Sequence, residues 1–292
     1  MSNLVNAVSK YLSGKEYIPV GILGPYDSSA FDAIVKAKEA GWMRPVIMGK
    51  WPIEPDRGIK QLAVEGGRRV IRDKALTMLE AGTLAALLHT GPVDEGVLSF
   101  IDTFQGGNNT AASYVTLFLS LMETRLTLFT DTLVNRTPGL KEKHCIVLNA
   151  SRLAQKLGIQ RPTVAALAPV EIVNPAIPST IEAAALAKMC ERGQLEDVIL
   201  EGPLAMDNAE SSDAAMHKGI SSPVPGNVDI YLFPDLESAM LTTQFVSIAG
   251  GIMTAGCLLG TRWPLIIRAP FEPDGAWLPN IALGLLMAVE AT

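Results

Sequence analysis

PTVAALAPVEIVNPAIPSTIEAAALAKMCERGQLEDVILEGPLAMD, running from Pro162 to Asp207, decides the fold. Its opening, PTVAALAPV, is a short and nearly continuous apolar run, the pattern of a strand covered on both faces. STIEAAALAKMCERGQ then has helical spacing and closes near Gly193, a residue suited to a helix end. VILEGPLAMD reads as a second buried strand that runs into a Gly-Pro turn. Strand, helix and strand in that order predict a parallel sheet layered with helices.

The same rhythm extends both ways. Upstream, YIPVGILGP (Tyr17 to Pro25) and RPVIMGK read as strands. SSAFDAIVKAKEAGW between them reads as a helix, with Ser28 or Ser29 as N-cap and Gly41 as its stop. KALTMLEAGTLAALLHTG is expected to be one helix ending at Gly91. ASYVTLFLSL and ETRLTLFTDTLV are expected to form an antiparallel strand pair, and LKEKHCIVLNASRLAQKLG a helix. Downstream, SSDAAMHKG reads as a short helix, VDIYLFPD and WPLIIRAP as strands, and AWLPNIALGLLMAVEA as the last helix. The fold class is therefore α/β, with two layered domains and mostly parallel sheets. The 292 residues suit that count, at roughly 150 residues per domain.

The 21 residues from Met240 to Gly260, MLTTQFVSIAGGIMTAGCLLG, carry no charge. That length could cross a bilayer. Three threonines, a Gln, a Ser and four glycines within it argue instead for a buried helix of a globular core. A second charge-poor run, Gln105 to Met122, is opened by GGNN and is an equally poor span. The first residues, MSNLVNAVSKYLSGKEY, lack the continuous apolar stretch of a secretory signal, so a cytoplasmic protein is expected.

Lys plus Arg number 24 against 30 Asp plus Glu, a net charge of −6, which argues against a nucleic-acid binder. Apolar residues at 48% and charged residues at 18% exclude a disordered chain. Cys145, Cys190 and Cys257 are odd in number and far apart. They suit neither a disulfide framework nor a metal knuckle, and they fit a reducing compartment. There is no GxGxxG, Walker loop or GxSxG elbow. His89, His144 and His217 are isolated, read as surface or boundary residues, and no metal site is expected. The cysteines read as inert core thiols.

In parallel sheets, ligands sit beyond the carboxyl ends of the strands. The polar residues expected there are Asp131 and Asn135, Glu171 and Asn174, Glu201 to Asn208, Pro234 and Asp235, and Arg268 with Glu272. The plainer alternative is that such Asp and Asn side chains only cap helices and make turns.

FTDTLVN, EIVNPAIPSTIEAAALAKMCERGQ, EGPLAMDNAESSDAAMHKGI and SSPVPGNVDIYLFPDLES, in that order and spacing, resemble the phosphate acetyl/butyryltransferase family. So does the ending IAGGIMTAGCLLG, WPLIIRAP and NIALGLLMAV. The likeness is strong from Leu126 to Val289 and faint before that. It implies a two-domain α/β/α protein, a homodimer, whose second domain (residues 129–258) is inserted into the first (1–128 and 259–292), with a cleft between them. The implied activity is acyl transfer between an acyl phosphate and coenzyme A. CoA would be a substrate, and no metal, prosthetic group, membrane or nucleic acid is involved.

That chemistry needs a carboxylate to take the thiol proton, donors for the oxyanion and cations for the departing phosphate. The resemblance makes Glu272 and Asp207 the base candidates and Arg268 the phosphate candidate, with Arg262 as a substitute. Asp131, Asn135, Glu171, Asn174, Gly202, Pro203, Asn208, Pro223 and Gly226 are the substrate-binding candidates, the glycines allowing close backbone approach. The sequence departs from the family pattern in one region. The usual Thr-Ser-Arg-x-Asp run reads Arg268-Ala269-Pro270-Phe271-Glu272, and the expected lysine of the AGAK-like segment is Ile252. The usual Gly-Leu-Arg reads Gln105-Gly106-Gly107, and the Gly-Asn after PDLE is Ala239-Met240. A phosphate dianion without paired cations is costly to bury. The alternative reading is thus a catalytically impaired member acting as an acyl-CoA-binding or structural subunit.

Overall fold

The computed structural model describes residues 8–9, 11–12, 17–52, 58–104, 111–119 and 126–289. Two compact units share the chain: Met1–Gly106 with Met253–Thr292, and Gly107–Ile252. The first is thus built from both ends of the sequence, and the second from the stretch between them.

In the first unit, β1 (Ile18–Leu23), β2 (Met43–Met48), β3 (Lys60–Leu62) and β4 (Ala86–His89) alternate with α1 (Ser28–Glu39), α2 (Arg68–Glu80) and α3 (Glu95–Thr103). The second unit holds β5 (Ser113–Leu119), β6 (Thr127–Thr130), α4 (Leu140–Lys156), β7 (Thr163–Leu167), α5 (Pro178–Glu191), β8 (Ile199–Leu204), α6 (Met206–Glu210), α7 (Ser212–His217), β9 (Ile230–Leu232) and α8 (Leu236–Gly250). The chain then returns to the first unit with β10 (Met253–Leu259), β11 (Leu265–Ile266), a 3₁₀ turn over Asp274–Ala276 and α9 (Trp277–Ala288).

The sheet of the first unit has the order β11-β4-β1-β2-β3, with every pair parallel. Ile22 lies opposite both Ile47 and Leu88, and all three are buried, as expected of strands without a solvent face. In the second unit neighbouring strands run β5-β6-β9-β7-β8. β5 and β6 form the expected antiparallel pair, and the others are parallel. The core of this unit is a cluster of rings on Phe129, whose centroid lies 4.4 Å from Phe118, 5.2 Å from Tyr231 and 5.1 Å from Phe233. Such pairs each add about 0.5–1.5 kcal/mol beyond the area they bury.

Four local expectations are corrected. The N-cap of α1 is Asp27, whose Oδ1 accepts from the Ala30 N–H and the Ser29 hydroxyl at 2.7 Å each, so Ser29 supports the cap. The segment up to Gly91 is a helix and then a strand. α2 stops at Glu80, Gly82 takes φ 68°, and Ala86–His89 form β4. Gly82 ends the helix because its left-handed backbone cannot continue the turn, while the residues on either side keep the same apolar character.

The charge-free run from Met240 to Gly260 breaks at Gly251, which caps α8 with φ 60°, and continues as β10. Nor is α8 buried all round: Ala239 and Thr243 face inward, while Leu241, Phe245 and Ile248 are 70–76% exposed. Gly202 and Pro203 lie inside β8 rather than in a turn after it. Of the second charge-poor run, the part in β5 is a strand, and residues 105–110 and 120–122 lie outside the described ones.

α9 lies against α1 and covers β11, which leads into residues 268–272. The close approach depends on Gly284, where an added Cβ would come within 2.3 Å of Ile266 Cγ1. Gly284→Ala is therefore expected to lower stability by roughly 1–3 kcal/mol through overpacking, seen as a fall in Tm. An unchanged Tm would show that Ile266 can move aside.

Candidate functional site

The loop after β6 is organised by one carboxylate. Asp131 is buried at 3% exposure, and its Oδ1 accepts from the backbone N–H groups of Tyr114, Leu133 and Val134 at 2.9–3.1 Å. Its Oδ2 accepts from the Asn135 N–H at 2.8 Å and from Asn135 Nδ2 at 2.5 Å, and Asn135 Nδ2 also donates to Ala112 O. Burial pushes the Asp131 carboxyl up from its ordinary value, and the N–H groups of Leu133, Tyr114 and Val134 pull it back. Asp131 and Asn135 together fix the FTDTLVN segment against β5.

After β7 and β8 a second group assembles. Lys218 Nζ lies 3.0 Å from Asp207 Oδ2 and 3.2 Å from Glu171 Oε2, and Asn208 Nδ2 donates to Glu171 Oε2 at 3.2 Å. The lysine lowers the Asp207 carboxyl, while Glu171 is lowered first by its own backbone N–H and then by Lys218 and Asn208. In return, Asp207 raises the Lys218 amine. Asn208 is fully buried, yet its Oδ1 has no hydrogen-bond partner among the described residues. Three of the sequence-derived residues, Glu171, Asp207 and Asn208, are thus brought together by Lys218, which the sequence reading missed. No spacing rule joins a lysine just past α7 to carboxylates 47 and 11 positions away.

Other expected residues fall elsewhere. Asn174 makes a turn before α5: its Oδ1 accepts from Ala176 N–H at 2.9 Å, and its backbone bonds the Thr180 hydroxyl. Gly202, Pro203 and Pro223 line a cavity of about 830 Å³ along the edge strand β8, with Arg161, Lys188 and Glu201. Gly202 is required there, since a Cβ would meet Ala166 Cβ at 2.7 Å. Gly226, at φ 74°, donates its N–H to Ala209 O and ties its loop to α6. Pro234 and Asp235 open α8, where Asp235 accepts from Ser238 N–H as the N-cap.

Lys143 was also missed. It is buried and donates to Glu182 beside Pro234 and Ser179. Its position on the stripe of Cys145, Ile146, Val147 and Ala150 was the available signal, because a lysine on a buried helix face requires a partner.

In the first unit, residues 268–274 close on themselves. Glu272 is 2% exposed, and its Oε2 accepts from Ala269 N–H at 3.0 Å and Asn280 Nδ2 at 2.8 Å. Asn280 also accepts from Gly256 N–H and donates to Ile267 O, locking α9 to β10 and the end of β11. Arg268 donates through Nη1 to the Glu272 carbonyl, reaches Asp274 at 3.4 Å and lies 5.3 Å over the Trp277 ring. Its Nε–H is buried without a partner among the described residues. Arg262 instead stacks on Trp263.

Ile252 packs against the aromatic core of the second unit. Gln105 to Gly107 lie outside the described residues. His89, expected as a surface or boundary residue, is buried at the end of β4, and burial lowers its pKa to about 4, so it is neutral at pH 7. Cys257 is a core thiol that burial pushes up to about 12. Among the described residues, no three His, Cys, Asp or Glu side chains converge as a metal-holding group, and no helix is long and apolar enough to cross a membrane.

A family model described as phosphate acetyl/butaryl transferase matches residues 89–269. The chain belongs to that family. Phosphate butyryltransferase of Clostridium acetobutylicum is 30% identical over 295 residues, covering 97% of each chain. Phosphate acetyltransferase of Rhizobium meliloti is 34% identical over 281 residues, covering 91% of this chain and 87% of that one. In fold, a Streptococcus pyogenes phosphotransacetylase superposes with a TM-score of 0.83 at 16% identity, covering 99% of both chains. A branched-chain phosphotransacylase from Enterococcus faecalis gives a TM-score of 0.79 at 21% identity, covering 93% of this chain and 99% of that one. The family match spans the block from Glu201 to Ile220, which the structure folds into the end of β8, α6, α7 and the Lys218 network.

Asp207 and Glu171 titrate below their unfolded values. Their pairing with Lys218 is thus in place above the ordinary carboxylate range and is lost as pH falls through the lowered folded values. Lys218→Met is expected to move both carboxyl titrations upward, read by carbon-13 NMR of the side chains. Titrations that stay put would assign the shifts to the backbone alone.

Proposed function

We propose that this chain transfers an acyl group between an acyl phosphate and coenzyme A. The observation that carries this reading is membership of the phosphate acetyl/butyryltransferase family, with relatives at 30–34% identity over more than nine-tenths of this chain. Glu272 is the base: it takes the CoA thiol proton, and the thiolate sulfur attacks the acyl carbon. The carbon–oxygen bond to phosphate then breaks, and inorganic phosphate leaves with the electron pair.

One contrast supports Glu272 over Asp207. The bonds to its Oε2 come from the neutral donors Ala269 N–H and Asn280 Nδ2, whereas Asp207 is neutralised and lowered by Lys218. Arg268 is the phosphate cation, and its buried Nε–H without a partner among the described residues supports that role, because a phosphate oxygen would satisfy it. Asp131 and Asn135 position their loop, and Glu171, Asp207 and Asn208 bind substrate through the Lys218 network. Asn174, Gly202, Pro203, Pro223 and Gly226 shape the surrounding loops.

The protein works as a homodimer in the cytoplasm. The exposed strip of Leu241, Phe245 and Ile248 supports a second copy covering α8, and three free cysteines support a reducing compartment.

Formation of CoA thioester from acetyl, butyryl and isobutyryl phosphates is the direct test. Turnover is expected with at least one of them, and none with any would remove the transferase reading. Glu272→Gln should lower kcat by about 10²–10⁴-fold at unchanged KM. Arg268→Ala should raise the KM for acyl phosphate. An active Glu272→Gln protein would move the base elsewhere. Phe245→Asp should halve the mass seen in sedimentation, and an unaltered mass would place the interface on another surface.

A further inference from the structure

A groove of about 610 Å³ lies in the first unit between α2 and the β2–β3 edge of the sheet. Its polar wall carries Arg44, Lys60 and Lys74, its floor is formed by Val46, Leu62 and Met78, and among the described residues no carboxylate lines it. The three cations have no ion-pair or hydrogen-bond partner among the described residues. The hydroxyls at the rim are already used: Thr77 donates to Asp73 O and Thr83 to Met78 O.

This arrangement is unusual in a chain with 30 acidic and 24 basic residues. Three like charges around one hollow repel each other, and a concave wall of one sign focuses its potential on whatever enters. The groove is also remote from Arg268 and Glu272. Arg44 is the second residue of β2 and Lys60 the first of β3, so the groove lies toward the amino ends of the parallel strands. Arg268 and Glu272 follow β11, beyond the carboxyl end of the opposite edge strand.

We infer that the groove is a second ligand site and that it takes a nucleoside polyphosphate, with the phosphates on Arg44, Lys60 and Lys74 and the base against Leu62 and Met78. The volume falls within the ~300–1,000 Å³ usual for small-molecule sites. A planar arginine fork and two ammonium groups match phosphate oxygens. A fatty acid, with one charge, leaves two of the cations unmatched. A bare inorganic polyphosphate leaves the apolar floor wet. Occupancy at this end of the sheet makes the ligand an effector rather than a reactant.

Calorimetric titration with ATP in the absence of CoA tests the inference, since the phosphorylated adenosine diphosphate of CoA would itself compete for the groove. One ATP per chain is expected, with an affinity that falls as salt rises. In the triple variant Arg44→Gln, Lys60→Gln, Lys74→Gln that affinity should drop about tenfold or more, with Tm and thioester formation in the absence of ATP unchanged. Adenosine should give no heat, and tripolyphosphate should bind more weakly than ATP. Equal ATP affinity in wild type and variant, or tripolyphosphate binding as tightly as ATP, would each overturn the inference. The comparison of wild type with variant needs neither turnover nor CoA binding, so its outcome is separate from that of the transferase reading.

Discussion

A charge taken out of water has to be met by donors or a counter-charge, or its desolvation goes unrecovered. The loops at the carboxyl ends of the strands in each unit are arranged around that demand. Asp131 gathers its own loop and β5 through N–H groups, Lys143 fastens α4 to α5 through Glu182, and Glu272 draws Ala269 and Asn280 together. Removing one partner would leave a buried charge uncompensated, which is costlier than losing an exposed ion pair. The strand-end loops and the α4–α5 contact are therefore held by a few polar and charged side chains and not by the sheets alone.

The departures from the family pattern acquire a physical meaning in this setting. Where a hydroxyl and an arginine are usual, Ala269 and Pro270 shorten the side chains, and the loop closes through Arg268 on the Glu272 carbonyl. Where a lysine is usual, Ile252 covers the ring cluster of the second unit. Against the pattern that the resemblance implies, the positive charge near Glu272 stands two places earlier in the chain, and Trp277 supplies the face against which it rests.

Most of the fold was legible because apolar runs and glycine stops are local signals. β7, α5 and β8 follow from the pattern of residues 162–207, and the β5–β6 pair follows from two adjacent apolar runs. Failures came where one glycine changes the backbone within a uniformly apolar stretch, at Gly82 and Gly251. Hydropathy has the same value on both sides of such a residue. The candidate site was legible only as a set of strand ends. That Glu171, Asp207 and Asn208 meet while Asn174 turns away depends on Lys218 and on the path of α7, and neither leaves a periodic trace.

Cys257 lies in β10 with its thiol buried near Glu272 and pushed up to about 12. Oxidants and alkylating reagents act on the ionised sulfur, so they would find almost none of it at neutral pH. The folded protein therefore keeps this cysteine reduced without help from the surrounding redox buffer. Its modification would record the moments when β10 comes away from its neighbours, a clock for opening of this strand.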